Sequence, residues 1–178
     1  MGNVTSLRVA DLPQNTATSF ELRPEKDALE AIKQDLGLLG LRKLSFAGQV
    51  RADGKRDWVL TGTLGATVIQ PCVVTLEPVT TRIDLPVSRL YVADWSDPDE
   101  PEYEIPEGDE IEPLGAEIDP EIVMIEALSL ALPQYPRKDG AQMGQAGYTE
   151  PGKQAMTDED AKPFAGLAEL RDALKKDE

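Results

Sequence analysis

Three segments between Leu44 and Val92 alternate apolar and polar residues, and a period of two held over that length commits the middle of the chain to β-structure. In the longest run, Trp58 to Gln70, one face carries Trp58, Leu60, Leu64, Ala66 and Val68, and the other carries Thr61, Thr63 and Thr67. Gly62 and Gly65 interrupt this run, which points to a bulge or to a second backbone passing close by. Leu44, Phe46, Gly48 and Val50 alternate before it, and Asp53-Gly-Lys between the two is a turn signal, so the pair reads as a β-hairpin. A third segment, Ile83 to Val87 and on to Leu90-Tyr-Val92, makes a second long hairpin turning near Glu77-Pro78. Pro71 and Pro86 lack the amide hydrogen of a central ladder and argue for edge or bulge positions.

Shorter elements flank this core. Leu7-Arg-Val9 and Phe20-Glu-Leu22 read as two strands with a polar turn or loop between them. Pro24 opens a helix on which Ala28, Leu29, Ile32, Leu36 and Leu39 recur, running about four turns to Gly40. From Asp94 to Glu117 the chain is strongly acidic, contains four prolines and has no basic residue, which predicts a solvated, mobile loop. Asp119 then suits an N-cap with Pro120 behind it, and Ile122, Ile125, Leu128 and Leu132 form an apolar stripe ending at Pro133. Residues 137–162 read as a flexible linker, and 163–178 as a C-terminal amphipathic helix or tail. The folded part is therefore expected over residues 1–136.

Charge and residue usage narrow the chemistry. Residues 1–93 hold 11 basic and 10 acidic side chains, whereas 94–178 hold 7 and 23, so the net charge of -15 belongs to the second half. That half repels phosphate backbones and attracts a basic protein. There is no histidine, which removes the commonest general base and the commonest zinc ligand. The lone cysteine excludes an internal disulfide, and the start of the chain lacks a secretory pattern, so a cytoplasmic location is expected. No segment is apolar over the length a bilayer needs.

Cys72 is open to three readings: a nucleophile, a remnant of a metal site, or a packed strand residue. A nucleophile needs a base or cation to generate its thiolate, and one sulfur without histidine does not complete a zinc site. With a turn between Glu77 and Pro78, Cys72 falls opposite Ile83, an apolar setting that favours the packed residue. The stretch from Asp94 to Glu100 has calcium-type oxygens but neither the glycine nor the terminal glutamate of an EF-hand loop. Phosphate-cradling glycine motifs are absent too. Arg42, Lys43, Arg51, Lys55 and Arg56 lie close in sequence near Trp58 and form either a candidate RNA-facing patch or an ordinary solvated hairpin tip. Glu126 lies one step from the apolar stripe of the late helix, at a boundary position.

Three stretches carry a family resemblance: Leu60-Thr-Gly-Thr-Leu-Gly-Ala-Thr-Val-Ile-Gln-Pro-Cys-Val-Val-Thr-Leu-Glu-Pro-Val79, Ile118 to Pro133, and Lys162 to Leu170. Together they resemble the YceD family of bacteria and plastids, in an alphaproteobacterial form. The family pattern has two cysteines separated by two residues and followed by Leu-Glu-Pro. Here Cys72 matches the first cysteine, Thr75 stands at the second, and Leu76, Glu77 and Pro78 match. Many relatives also carry cysteines after the late helix, where this chain has Tyr135-Pro-Arg-Lys. The resemblance implies ribosome biogenesis: accumulation of large-subunit (23S) ribosomal RNA by a factor with no established catalysis.

These readings converge on an α+β domain: a bent, barrel-like antiparallel β-sheet built from long hairpins, with packed helices and a mobile acidic loop. The expected function is a non-enzymatic factor in large-subunit rRNA accumulation, requiring no cofactor or metal, with no catalytic residue and no membrane partner. The expected partners are a ribosomal protein, an assembly factor or pre-ribosomal RNA. Cys72, Leu76, Glu77, Pro78 and Glu126 are the candidate partner-binding residues. The alternatives are an acidic interaction adaptor unrelated to ribosomes and a Cys72-dependent enzyme.

Overall fold

The structure, a computed structural model, describes residues 6–94 and 110–142. Strand β1 (Leu7–Arg8) leads through a short 3-10 turn to β2 (Thr18–Leu22) and helix α1 (Lys26–Asp35). The long strands β3 (Gly40–Asp53), β4 (Asp57–Pro71) and β5 (Pro78–Val92) follow. After them come β6 (Glu110–Pro113), β7 (Glu117–Ile118) and helix α2 (Pro120–Ala131). One sheet has the order β2-β3-β4-β5-β6, antiparallel except for the parallel β5–β6 pair, and β1 pairs with β7 in a separate ribbon. The two expected N-terminal strands exist, but they belong to different sheets.

The alternation translates directly into burial. Trp58, Leu60, Leu64, Ala66 and Val68 of β4 are all buried, with Phe46 and Val50 of β3 and Ile83, Val87 and Tyr91 of β5 on the same face. Helix α2 covers that face with Val123, Met124, Ala127 and Leu128, and Phe20 packs on Phe46 with ring centroids 5.1 Å apart. Such aromatic and aliphatic burial is the main source of stability for a sheet with one covered face. Asp119 caps α2 as expected, its carboxylate accepting from the Glu121 amide at 2.8 Å. Pro86 sits in β5 beyond the reach of β6, which pairs only with Arg89–Val92, so its open side faces no strand among the described residues.

Four expectations need correction. The sheet is open rather than barrel-like: β2 and β6 are its edges and do not pair with each other. Helix α1 stops at Asp35, short of Gly40, because Gly37 adopts φ +62 and the Leu39 amide leaves to bond the Ile69 carbonyl at 2.8 Å. The acidic region does not stay loop up to Glu117, since β6 and β7 form within it. Ile111 lines up beside Leu90, and Glu112 answers a buried arginine of β5, so the strand gains both apolar contact and charge pairing. Finally, the second hairpin turns earlier than expected, with Pro71 opposite Pro78 and Ile83 opposite Ala66 rather than Cys72. Of the linker expected over 137–162 only residues 137–142 are described; the rest of it, the C-terminal helix expected over 163–178 and the acidic stretch 95–109 lie outside the described residues.

Candidate functional site

The connection between β4 and β5 is a six-residue loop, Cys72 to Glu77, closed by its own backbone. The Cys72 amide donates to the Glu77 carbonyl at 2.7 Å, and the Leu76 amide to the Cys72 carbonyl at 2.9 Å. A second segment docks on it after α2: the Val73 amide donates to the Pro136 carbonyl at 2.9 Å, and Lys138 Nζ reaches both Glu77 carboxylate oxygens at 2.9 Å. Glu77 is thus committed to an ion pair, which holds its carboxyl below the usual range. Pro78 opens β5 and is exposed.

The sulfur sits at the centre of this junction. Cys72 Sγ is fully buried and accepts from the amides of Val74 and Thr75 at 3.4 Å and of Lys138 at 3.5 Å. The setting is therefore a ring of donors, not the apolar cross-strand site expected. The Thr75 hydroxyl first, then the Lys138 and Thr75 amides, draw the thiol down from its ordinary 9.0 to about 6, against the opposing effect of burial. Thr75, which replaces the second cysteine of the resemblance, here supports the first one. A lowered thiol pKa stabilises the fold above the unfolded value near 9, and this stabilisation is lost as pH falls through about 6. The stability gap between the wild type and Cys72→Ala is therefore expected to widen as pH rises from 6 towards 9. Urea melts across that range, with thiolate absorbance at 240 nm as the direct readout, test this. A pH-independent gap refutes it.

Leu76 is the exposed tip of the loop. It is 77% exposed and holds φ +61, a conformation that non-glycine residues adopt at a cost of roughly 1–2 kcal/mol. Val73 is also exposed, as is Tyr135 on the docking segment. The loop therefore buries its sulfur and presents its aliphatic side chains.

Glu126 belongs to a different cluster, at the far end of β5. Arg89, only 5% exposed, stands on the core-facing side of that strand and pairs with Glu112 of β6 and with Glu126 of α2, the latter at 2.8 Å. Sequence reasoning did not find Arg89. Its signal was present, since a cation at the inward parity of β5 requires carboxylates from the elements that cover it. Burial first, then Glu112, pushes the neighbouring Tyr91 phenol up to about 12.

The five candidate cations do not form one patch. Arg42 and Lys43 stand at a bulge near one end of β3, where the register shifts by one residue between Arg42 and Ser45. Arg51 is near the other end, roughly 30 Å along the strand by its residue rise. Lys55 and Arg56 are in the adjoining turn, and Arg56 pairs with Asp94 at 2.7 Å. At the bulge, Lys43 instead meets Arg23 and Arg82, which sequence proximity had not connected to it, at a cavity of about 530 Å³. Among the described residues no group of three or more Cys, Asp or Glu stands ready to hold a metal ion. No described helix is long and apolar enough to cross a membrane.

The family model described as "Large ribosomal RNA subunit accumulation protein YceD" matches residues 60–171, more than half of the chain's 178 residues. No curated protein and no solved structure matches the chain. The matched span begins in β4 and takes in the Cys72 loop, Arg89 with both of its carboxylates, and all of α2. On that match, the chain belongs to the YceD family.

Proposed function

We propose that this protein is a non-enzymatic assembly factor that supports accumulation of large-subunit ribosomal RNA in the cytoplasm through contacts with a ribosomal protein, an assembly factor or pre-ribosomal RNA. The observation that carries the reading is the family match over residues 60–171. The form of the Cys72 loop supports a binding role, because its Leu-Glu-Pro segment spends backbone strain to expose Leu76 instead of packing it.

Depletion of the protein is expected to lower the ratio of large- to small-subunit rRNA, and an unchanged ratio rejects the assembly role. In the depleted background, Cys72→Ser is expected to restore the ratio, whereas Leu76→Asp restores less than about half of it, a fraction set by one lost apolar contact of about 1–2 kcal/mol. Full rescue by Leu76→Asp removes the loop from the function. Failure of Cys72→Ser with normal stability would favour thiol chemistry instead. Affinity capture with and without nuclease separates ribosomal partners from a single non-ribosomal one, the outcome that an acidic adaptor would give.

A further inference from the structure

The cavity at the β3 bulge is lined by Arg23, Lys43 and Arg82, by the hydroxyl-bearing Ser45 and Thr67, and on one side by apolar residues including Leu29. Each cation arrives by a separate structural route. Arg23 follows the end of β2 just before α1. The bulge sets Arg42 and Lys43 consecutively in exposed positions, and Lys43 holds φ +52, in the left-handed region. Arg82 stands across β4 from Arg42, with Thr67 between them in the register, and a Cβ at Gly65 would lie 2.6 Å from its guanidinium.

Two of the three cations are offset by carboxylates just outside the cavity, and Lys43 is not. Glu21 pairs with Arg23 at 2.7 Å, and Asp84 accepts from Arg82 Nε at 2.8 Å, but neither carboxylate lines the space. The exposed Arg23–Glu21 pair rests on a single contact and is a weak competitor for a dianion, whereas Asp84 holds Arg82 through two guanidinium nitrogens, so Lys43 and Arg23 are the cations most open to a ligand. Lys43 has no ion-pair partner among the described residues. Three cations and two hydroxyls converging on a concave space, beside an apolar wall, form a receptor for a phosphate group.

We propose that this cavity binds phosphate, and that the phosphate it takes belongs to an RNA strand. The site stands on the geometry, and the choice of RNA as its source rests on the ribosome-assembly reading. The near-neutral first half of the chain is the part whose field permits such a ligand.

The test uses the purified full chain at low ionic strength, with inorganic phosphate, adenosine monophosphate and a short single-stranded RNA as separate probes. The RNA is expected to bind most tightly. Lys43→Gln and Arg23→Gln should each weaken it about tenfold, the equivalent of one charge-assisted hydrogen bond, and each should lower the salt slope by about one. Arg8→Gln, on the separate β1–β7 ribbon, should leave binding unchanged. Equal binding of adenosine monophosphate and RNA, lost in the same variants, keeps the phosphate site and assigns it to a free ligand. No binding by any probe overturns the proposal, as does RNA binding that the Lys43 and Arg23 variants retain at unchanged melting temperature. Either negative leaves the depletion phenotype untouched, so failure here and failure of the assembly role are separate results.

Discussion

Gly48→Ala is expected to destabilise the fold by about 3 kcal/mol or more. A methyl group there would lie 2.1 Å from the Thr61 carbonyl oxygen and 2.6 Å from the Gly62 Cα. Both atoms are backbone, and β4 is held on both sides, by β3 and by β5, so neither can retreat without breaking ladder bonds. Gly48 and Gly62 face each other in register, which lets β3 and β4 approach more closely than any side chain permits. Gly37→Ala provides the contrast. Its φ of +62 disfavours alanine, but nothing lies within 4 Å of the added carbon, so the cost is about 1 kcal/mol. Urea denaturation of both variants checks the ordering, and equal losses would mean that the β4 backbone yields to the added methyl at Gly48.

Arg89→Met is the second large effect, a loss of about 2–3 kcal/mol and a fall in Tm on the order of 10 °C. Removing this buried cation leaves Glu112 and Glu126 facing the same space without their shared partner. The carboxylates are 38% and 49% exposed, and water reaching them keeps the loss at or below the lower limit of the range for broken buried pairs. Three elements meet at this one guanidinium, so the variant should loosen β6 and α2 together. Hydrogen exchange at the amides of β6 and α2 reads this directly. The triple variant Arg89→Met, Glu112→Gln, Glu126→Gln is expected to recover part of the stability, since it removes the unpaired charges along with the cation. A triple variant no more stable than the single one would mean that the packing of the arginine side chain, not its charge, holds the cluster.

The parts of the fold legible from residues alone were those governed by local periodicity. The alternation of β4 placed Trp58, Leu60, Leu64, Ala66 and Val68 on the buried face, and Asp119-Pro120 marked the start of α2. Features set by distant partners were not legible. The turn near Pro78 fell short of the expected register because Cys72 leaves the ladder to accept amides, one of them from Lys138 far along the chain. Strand β6 was hidden under its own acidity, since Glu112 is explained only by Arg89, and β5 and β6 are joined through the acidic stretch. The same limit applied at the basic cavity. Lys43 was singled out, but Arg23 and Arg82 join it only through the β2–β3–β4–β5 order and a one-residue bulge.

The unpaired side of β5 bears on how this chain coexists with copies of itself. From Pro78 to Ser88 its outer edge has no strand beside it among the described residues, an invitation to self-assembly through shared sheets. Pro86 interrupts that invitation by withholding a donor midway, and Arg82 and Asp84 add charges that an incoming strand must desolvate. Among the described residues, one imino acid and one exposed ion pair thus guard the open length of β5 against a second strand, alongside the repulsion that a net charge of -15 brings between copies.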